Sequence, residues 1–346
     1  MTRQYSLQAE EACRRRWDAV AKPLHSLGIL EDMVAKIAGI QDTDRVDLSS
    51  RCCLTFCADN GVVQEGVTQT DSAVTASVAR SIARGTGNIC QMAKVARCDV
   101  IAVDVGMLQE VDDPRVVDRR VAPGTHNIAL GPAMTREQCL QAIAAGEDMV
   151  REMAMKGRKL IATGEMGIGN TTTSSAVACA LTGANVARMT GRGAGLSDAG
   201  LRRKRAAVTR ALSVNRPDPN DAVDVLMKVG GFDIAAMAGA FLGGAKYGVA
   251  LLVDGFISSV AALCAQRMLP EAKDFMLATH VSREPAGAFL LKTLNLTPVI
   301  TAGMALGEGT GAVAAMPLLD MALAVYYGAT FDDISVQAYQ PLGGGA

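Results

Sequence analysis

The chain has 346 residues, 49% of them hydrophobic, enough to enclose a sizeable core, with one large domain and a smaller lobe as the natural division. Its 34 Lys and Arg nearly balance 35 Asp and Glu, so no basic excess marks a nucleic-acid surface. The opening stretch MTRQYSLQAEEACRRRWDAV lacks the apolar core of a signal peptide, and a cytoplasmic location is expected.

Taken in chain order, short apolar runs of strand character alternate with longer Ala-rich helical patterns. RCCLTFCAD and CDVIAVDVG read as the first two strands. TREQCLQAIAAGEDMVREMAMKG then has helical apolar spacing and leads into the strand-like RKLIATGE. After the helical FDIAAMAGAFLGGA come YGVALLVDG, DFMLATH and TPVITAG, three further candidate strands. GAVAAMPLLDMALAVYYGATF carries Pro317 and Asp320 and reads as a buried helix, not a membrane span. Continuous apolar strands separated by helices predict an α/β fold, a doubly wound, mostly parallel sheet with helices on both faces. A small helical lobe is expected from the terminal segments. Residues 1–45 and 313–346 would build it, the last glycines as a frayed tail, around an α/β domain over 46–312.

Ligands of such sheets bind beyond the carboxyl ends of the strands. There the sequence places Asp59 and Asn60, Asp104, Glu165, Asp254, and the stretch His280 to Glu284. The nine cysteines contain no C-x-x-C pair and read as small buried hydrophobes, and the three histidines lie far apart, so no metal site is expected.

Three glycine loops stand out. In GEMGIGNTTTSSA, Gly167 and Gly169 permit a tight turn, and Asn170 and Thr171 open a helix whose free N–H groups would face an anion. The loop lacks the Lys of a nucleotide-binding P-loop and the third glycine of a dinucleotide fingerprint. In MTGRGAGLSDAGLRRKRAAV, Gly193 and Gly195 precede a helix carrying Lys204. In LGEGTGA, Glu308 sits between glycines, where an acid can project into a cleft and accept a proton. Each has a plainer alternative: a structural turn, a solvated basic face and a surface acid.

The order CADNGVVQEGVTQTD, RGTGNICQMA, VDVGM, NIALGPAMTREQ, GEMGIGNTTTSSA, KVGGFDIAAMAGAFLGGA, VDGFISSVAALCA and LGEGTGAVAAMPLLD resembles the nicotinate-nucleotide:dimethylbenzimidazole phosphoribosyltransferase family over nearly the whole length. The resemblance implies displacement of nicotinate from nicotinate mononucleotide by an aromatic nucleophile, with inversion at the anomeric carbon, to give an α-riboside 5'-phosphate for cobamide synthesis. It implies no metal and no cofactor. Glu308 matches the family's general base; Glu165 would face the ribose, the glycine turns and Lys204 would take the phosphate, and Ser282 aligns with a residue lining the cleft. It also implies a dimer, with itself or with a paralogous subunit.

The chain departs from the family pattern at three places. Asn60 stands where benzimidazole-using relatives commonly have His, and Thr70 and Val78 stand where a Ser and a Gln line the base pocket. A more apolar wall at Val78 opens the possibility of phenol or p-cresol as nucleophile, the choice of a branch built from two paralogous subunits. The same departures leave open a catalytically weak subunit kept for assembly.

Overall fold

The computed structural model describes residues 2–339; the C-terminal glycines expected to fray lie outside them. Two helices, α1 (Leu7–Ala19) and α2 (Ile29–Gln41), precede β1 (Arg51–Ala58), all of whose residues are buried. Then come α3 (Ala73–Ala83), α4 (Asn88–Ala96), β2 (Asp99–Gly106) and the two-residue β3 (Val117–Asp118). Helix α5 (Arg136–Met155) starts on a reciprocal cap, in which Thr135 accepts the Gln138 N–H and the Gln138 side chain accepts the Thr135 N–H. It leads into β4 (Leu160–Met166), α6 (Asn170–Thr182), α7 (Val186–Met189), α8 (Asp198–Asn215), α9 (Ala222–Val229) and α10 (Phe232–Tyr247). The chain continues through β5 (Ala250–Val253), α11 (Phe256–Met268), β6 (Met276–Ala278), α12 (Gly287–Leu294) and α13 (Thr310–Tyr326).

The strands form one six-stranded sheet in the order β3-β2-β1-β4-β5-β6, every neighbouring pair parallel. Helices cover both faces, with α5, α10 and α11 packed together and α2, α4 and α13 forming another group. The order reverses direction between β1 and β4, the place where a doubly wound sheet opens a crevice at its carboxyl edge.

Five of the six expected strands are strands. The sixth, TPVITAG, is not: Ile300 makes an isolated bridge to His280, and Val299 and Ile300 both donate to Thr279 O. Pro298 has no N–H to extend a ladder, and Gly303 turns the chain at a φ of 64°. The remaining strand is β3, too short and too polar in its surroundings to show as an apolar run.

Helix α1 packs against the end of α13 and the residues after it. The Trp17 ring lies edge-on to Tyr326 at 5.0 Å, Tyr326 Oη donates to Asp44 O at 2.7 Å, and Val20 bridges Thr330. Arg51, buried at the start of β1, makes a two-pronged ion pair with Asp320 of α13 at 2.6 and 2.7 Å. Among the described residues no helix is long and apolar enough to cross a membrane.

Candidate active site

A cavity of about 330 Å³ opens at the carboxyl edge where the strand order reverses. Its floor is the end of β4 and the turn into α6. Gly169 adopts a φ of 94° before α6, and no side chain caps the helix; the Asn170 N–H donates to Gly167 O and the Thr172 and Thr173 N–H groups donate to Gly169 O, so the helix meets the cavity with the positive end of its dipole and the Thr171 side chain. Lys204 reaches the same region from α8. Of the four basic residues Arg202 to Arg205 it alone is fully buried, with 1% exposure. Its Nζ donates to Thr171 Oγ1 at 2.7 Å, and burial pulls its pKa down to about 8. The charge of Glu284 acts on this buried ammonium but its hydrogen-bond partner is the Thr171 hydroxyl, so an anionic ligand in the cavity would supply a direct partner. Gly193 and Gly195, at φ of 54° and 96°, bring the second glycine loop to this end. Glu284 Oε1 accepts the Gly193 N–H at 3.0 Å, and Gln69 Nε2 donates to Ala194 O at 3.1 Å.

Two acids stand elsewhere on the wall. Glu165 is buried at the end of β4, where its Oε2 accepts from Asn170 Nδ2. Burial first, then the charge of Asp233, pushes its pKa well above the usual carboxylate range, against the Asn170 hydrogen bond. Glu308 occupies the left-handed region at a φ of 62° between Gly307 and Gly309, themselves at 83° and 91°. This is a strained conformation for Glu, held by its surroundings. Thr55 Oγ1 of β1 donates to Glu308 O at 3.2 Å, and a Cβ on Gly164 of β4 would fall 2.3 Å from the same oxygen. Its carboxylate accepts the Ile89 N–H at 3.4 Å. Burial raises its pKa, the Ile89 N–H opposes that, and Asp254 adds to the rise.

Behind this loop, Asp254 Oδ1 accepts the Ala312 N–H at 3.0 Å and lies 3.7 Å from His280 Nδ1. A Cβ on Gly311 would sit 1.8 Å from that nitrogen.

The structure therefore gathers Glu165, Gly167, Gly169, Asn170, Thr171, Gly193, Lys204, Ser282, Val78 and Glu308 on one cavity, with Gly195 beside it between the lining residues Ala194 and Leu196. Thr70 is exposed and does not line it. Its N–H and carbonyl both pair with the Thr68 hydroxyl, which turns the loop before Thr70 can reach inward. Nor do Asp59, Asn60 and Asp104 line it. Asp59 accepts from Thr75 Oγ1 and the Leu108 N–H, and Asp104 accepts the Gly106 and Met107 N–H groups, so both acids hold loops in place. Sequence reasoning missed Asp233, fully buried beneath Asn170. A single acid inside the apolar run FDIAAMAGAFLGGA was its only signal. Among the described residues no cluster of three or more His, Cys, Asp or Glu could hold a metal ion.

The fold and this cavity define a protein of the doubly wound α/β class with its ligand cleft at the switch in strand order. A phosphoribosyltransferase family model matches residues 2–336. The chain is 46% identical over 329 residues to a nicotinate-nucleotide–dimethylbenzimidazole phosphoribosyltransferase of Acetivibrio thermocellus, covering 95% of this chain and 94% of that one. It is 41% identical to the enzyme of the same name from Ruminiclostridium cellulolyticum, over 98% and 97% of the two chains. A crystal structure of CobT from Thermus thermophilus superposes with a TM-score of 0.91 at 40% identity, covering 95% of this chain and 99% of that one. The chain belongs to the nicotinate-nucleotide–dimethylbenzimidazole phosphoribosyltransferase family, and its reaction class is pentosyl transfer.

Proposed function

We propose that the chain transfers the phosphoribosyl group of nicotinate mononucleotide to dimethylbenzimidazole or a related aromatic nucleophile, for cobamide assembly. The observation that carries this reading is one cavity lined both by a buried, anion-seeking Lys204 and by two buried acids, Glu165 and Glu308. The mononucleotide has the matching polarity, a phosphate at one end and a cationic pyridinium-ribosyl centre at the other. Lys204, Thr171, the start of α6 and the Gly193–Gly195 turn take the phosphate. Ser282 lines the cleft near them. Glu165 faces the ribose, where a carboxylate stabilises positive charge developing at the anomeric carbon.

The nucleophile's nitrogen attacks that carbon from the face opposite nicotinate. The bond to the pyridine nitrogen breaks and its electron pair stays with nicotinate, cancelling the ring's positive charge. The nucleophile's N–H proton passes to Glu308.

Val78 favours a second choice of nucleophile. It supplies an apolar wall where the resemblance places an amide, which suits a phenol with its single polar atom. We also read the chain as one subunit of a dimer, with itself or a paralogue; Leu306, 53% exposed on the cavity lining, supports a second subunit closing the mouth. The purified chain, incubated with nicotinate mononucleotide and a panel of benzimidazoles, purines and phenols, should release nicotinate and form an α-riboside phosphate. No product until a paralogous subunit is added would favour the assembly role instead.

A further inference from the structure

The proposed chemistry uses Glu165 but leaves unexplained what the acid rests on. Asp233 has no exposure and lies at the second residue of α10, outside the cavity lining. A carboxylate so placed requires donors. Its Oδ1 accepts the Ile234 N–H at 3.0 Å, and its Oδ2 accepts Asn170 Nδ2 at 3.0 Å. The same amide nitrogen donates to Glu165 Oε2. An amide nitrogen has two hydrogens, so the pair of acids uses both and fixes which way Asn170 points.

Asn60 packs beside the network. Its Oδ1 accepts Thr173 Oγ1 at 3.3 Å. That oxygen and Asp233 Oδ1 stand 2.5 and 2.6 Å from the point a Cβ on Gly231 would occupy. The position therefore accepts no side chain.

We propose that Asp233 is a positioning residue for the transfer reaction: through the amide of Asn170 it holds the Glu165 carboxylate at the sugar end of the cavity. The inference rests on the role proposed for Glu165. It adds a residue that touches no substrate and acts through another.

Two buried acids bridged by one amide do not ionise independently. Burial pushes Asp233 up to about 6, and the charge of Asp233 is the largest neighbouring contribution to the raised pKa of Glu165. Asp254 and Glu308 also face Glu165, and Asp59 faces Asp233. Burial first holds the thiol of Cys57 in β1 protonated, and the charges of Asp104 and of both acids add to this. Removing the charge at 233 therefore makes Glu165 easier to ionise and leaves the Asn170 amide, which orients it, with a weaker neutral acceptor in place of a carboxylate.

The test compares wild type, Asp233→Asn and Glu165→Gln across pH. Asp233→Asn is expected to lower kcat by roughly ten- to a hundredfold, the scale of a misplaced reacting group, with KM for the mononucleotide within about twofold of wild type. The acid limb of its kcat profile should move to lower pH. Wild-type kcat and profile in Asp233→Asn, alongside an inactive Glu165→Gln, would overturn the positioning role and leave the reading of Glu165 intact. Wild-type turnover in Glu165→Gln would overturn that reading itself. Because the Asn variant could fail to fold, wild-type protein is also titrated by carboxyl 13C NMR, with the Glu165 signal assigned by its loss in Glu165→Gln. A two-step titration of Glu165 is expected, and a single step would overturn the proposal.

Discussion

The Glu308 carboxylate accepts the Ile89 N–H at 3.4 Å, which sets the acid against the amino end of α4 while its own backbone is held left-handed between two glycines. The helix end favours the carboxylate, whereas burial and Asp254 favour the acid. Such opposition brings a carboxyl group toward the range useful to a base. Glu308→Gln keeps the shape and cannot take the proton, so kcat should fall by about a hundredfold to ten-thousandfold with mononucleotide binding retained. In wild type, kcat should decline as pH falls through the raised pKa, because protonation removes the base. Stopped-assay turnover and calorimetric binding check both; loss of binding and of melting temperature instead would make Glu308 a structural acid.

Lys204→Met should weaken the mononucleotide by roughly 1.5 to 3 kcal/mol, the scale of a charge-assisted contact, and nicotinate far less. Lys204 has its pKa lowered to about 8, so affinity should drop as pH rises past that value and the ammonium is lost. The free protein should melt no lower as Met, because a similar volume replaces a buried charge. Equal weakening of both ligands in calorimetry would place the phosphate on the glycine turns alone.

Gly311→Ala puts a methyl group 1.8 Å from His280 Nδ1, on the first turn of α13 and three residues beyond Glu308. Neither the helix nor the packed His can give way cheaply. The expected loss is about 1 to 3 kcal/mol of stability, as for other overpacked sites, with turnover reduced in the protein that remains folded. Urea unfolding and specific activity measure the two effects, and a silent substitution would mean the loop is free to shift.

Val78→Gln restores an amide to the cavity wall. Beside a phenol that amide goes unpaired, at a cost of about 1 to 3 kcal/mol, while a benzimidazole offers it a second polar atom. The ratio of the two ribosides formed in competition should move about tenfold toward benzimidazole. An unchanged ratio would show that Val78 does not read the nucleophile.

Asp320→Ala leaves the Arg51 guanidinium buried at the start of β1 without its partner. Breaking a fully buried pair costs about 3 to 5 kcal/mol, but Asp320 is 45% exposed and water softens the loss, so about 2 kcal/mol is expected. Thermal melts should show it with KM unchanged, since neither residue lines the cavity.

Sequence alone determined the layered α/β plan, because six apolar runs of strand character, five of which are strands, alternate with helical periodicity, and burial on both faces favours that use of them. It also placed Glu165 at the carboxyl end of a strand and Lys204 and Glu308 on segments that follow or contain glycines, a local pattern that needs no long-range information. What it left undecided depends on distance in space. The pattern RRKR does not say which cation turns inward; packing of α8 against α6 does, by burying Lys204 beside Thr171. Thr70 and Val78 are eight residues apart, and only the turn made by Thr68 and the start of α3 puts one in solvent and the other on the cavity wall. TPVITAG has strand composition, yet Pro298 and its position at the sheet edge leave it a bridge. Asp233 and Glu165 are 68 residues apart and share one amide nitrogen because β4 and α10 meet beneath the cavity, and a contact of that kind has no signature in either segment alone.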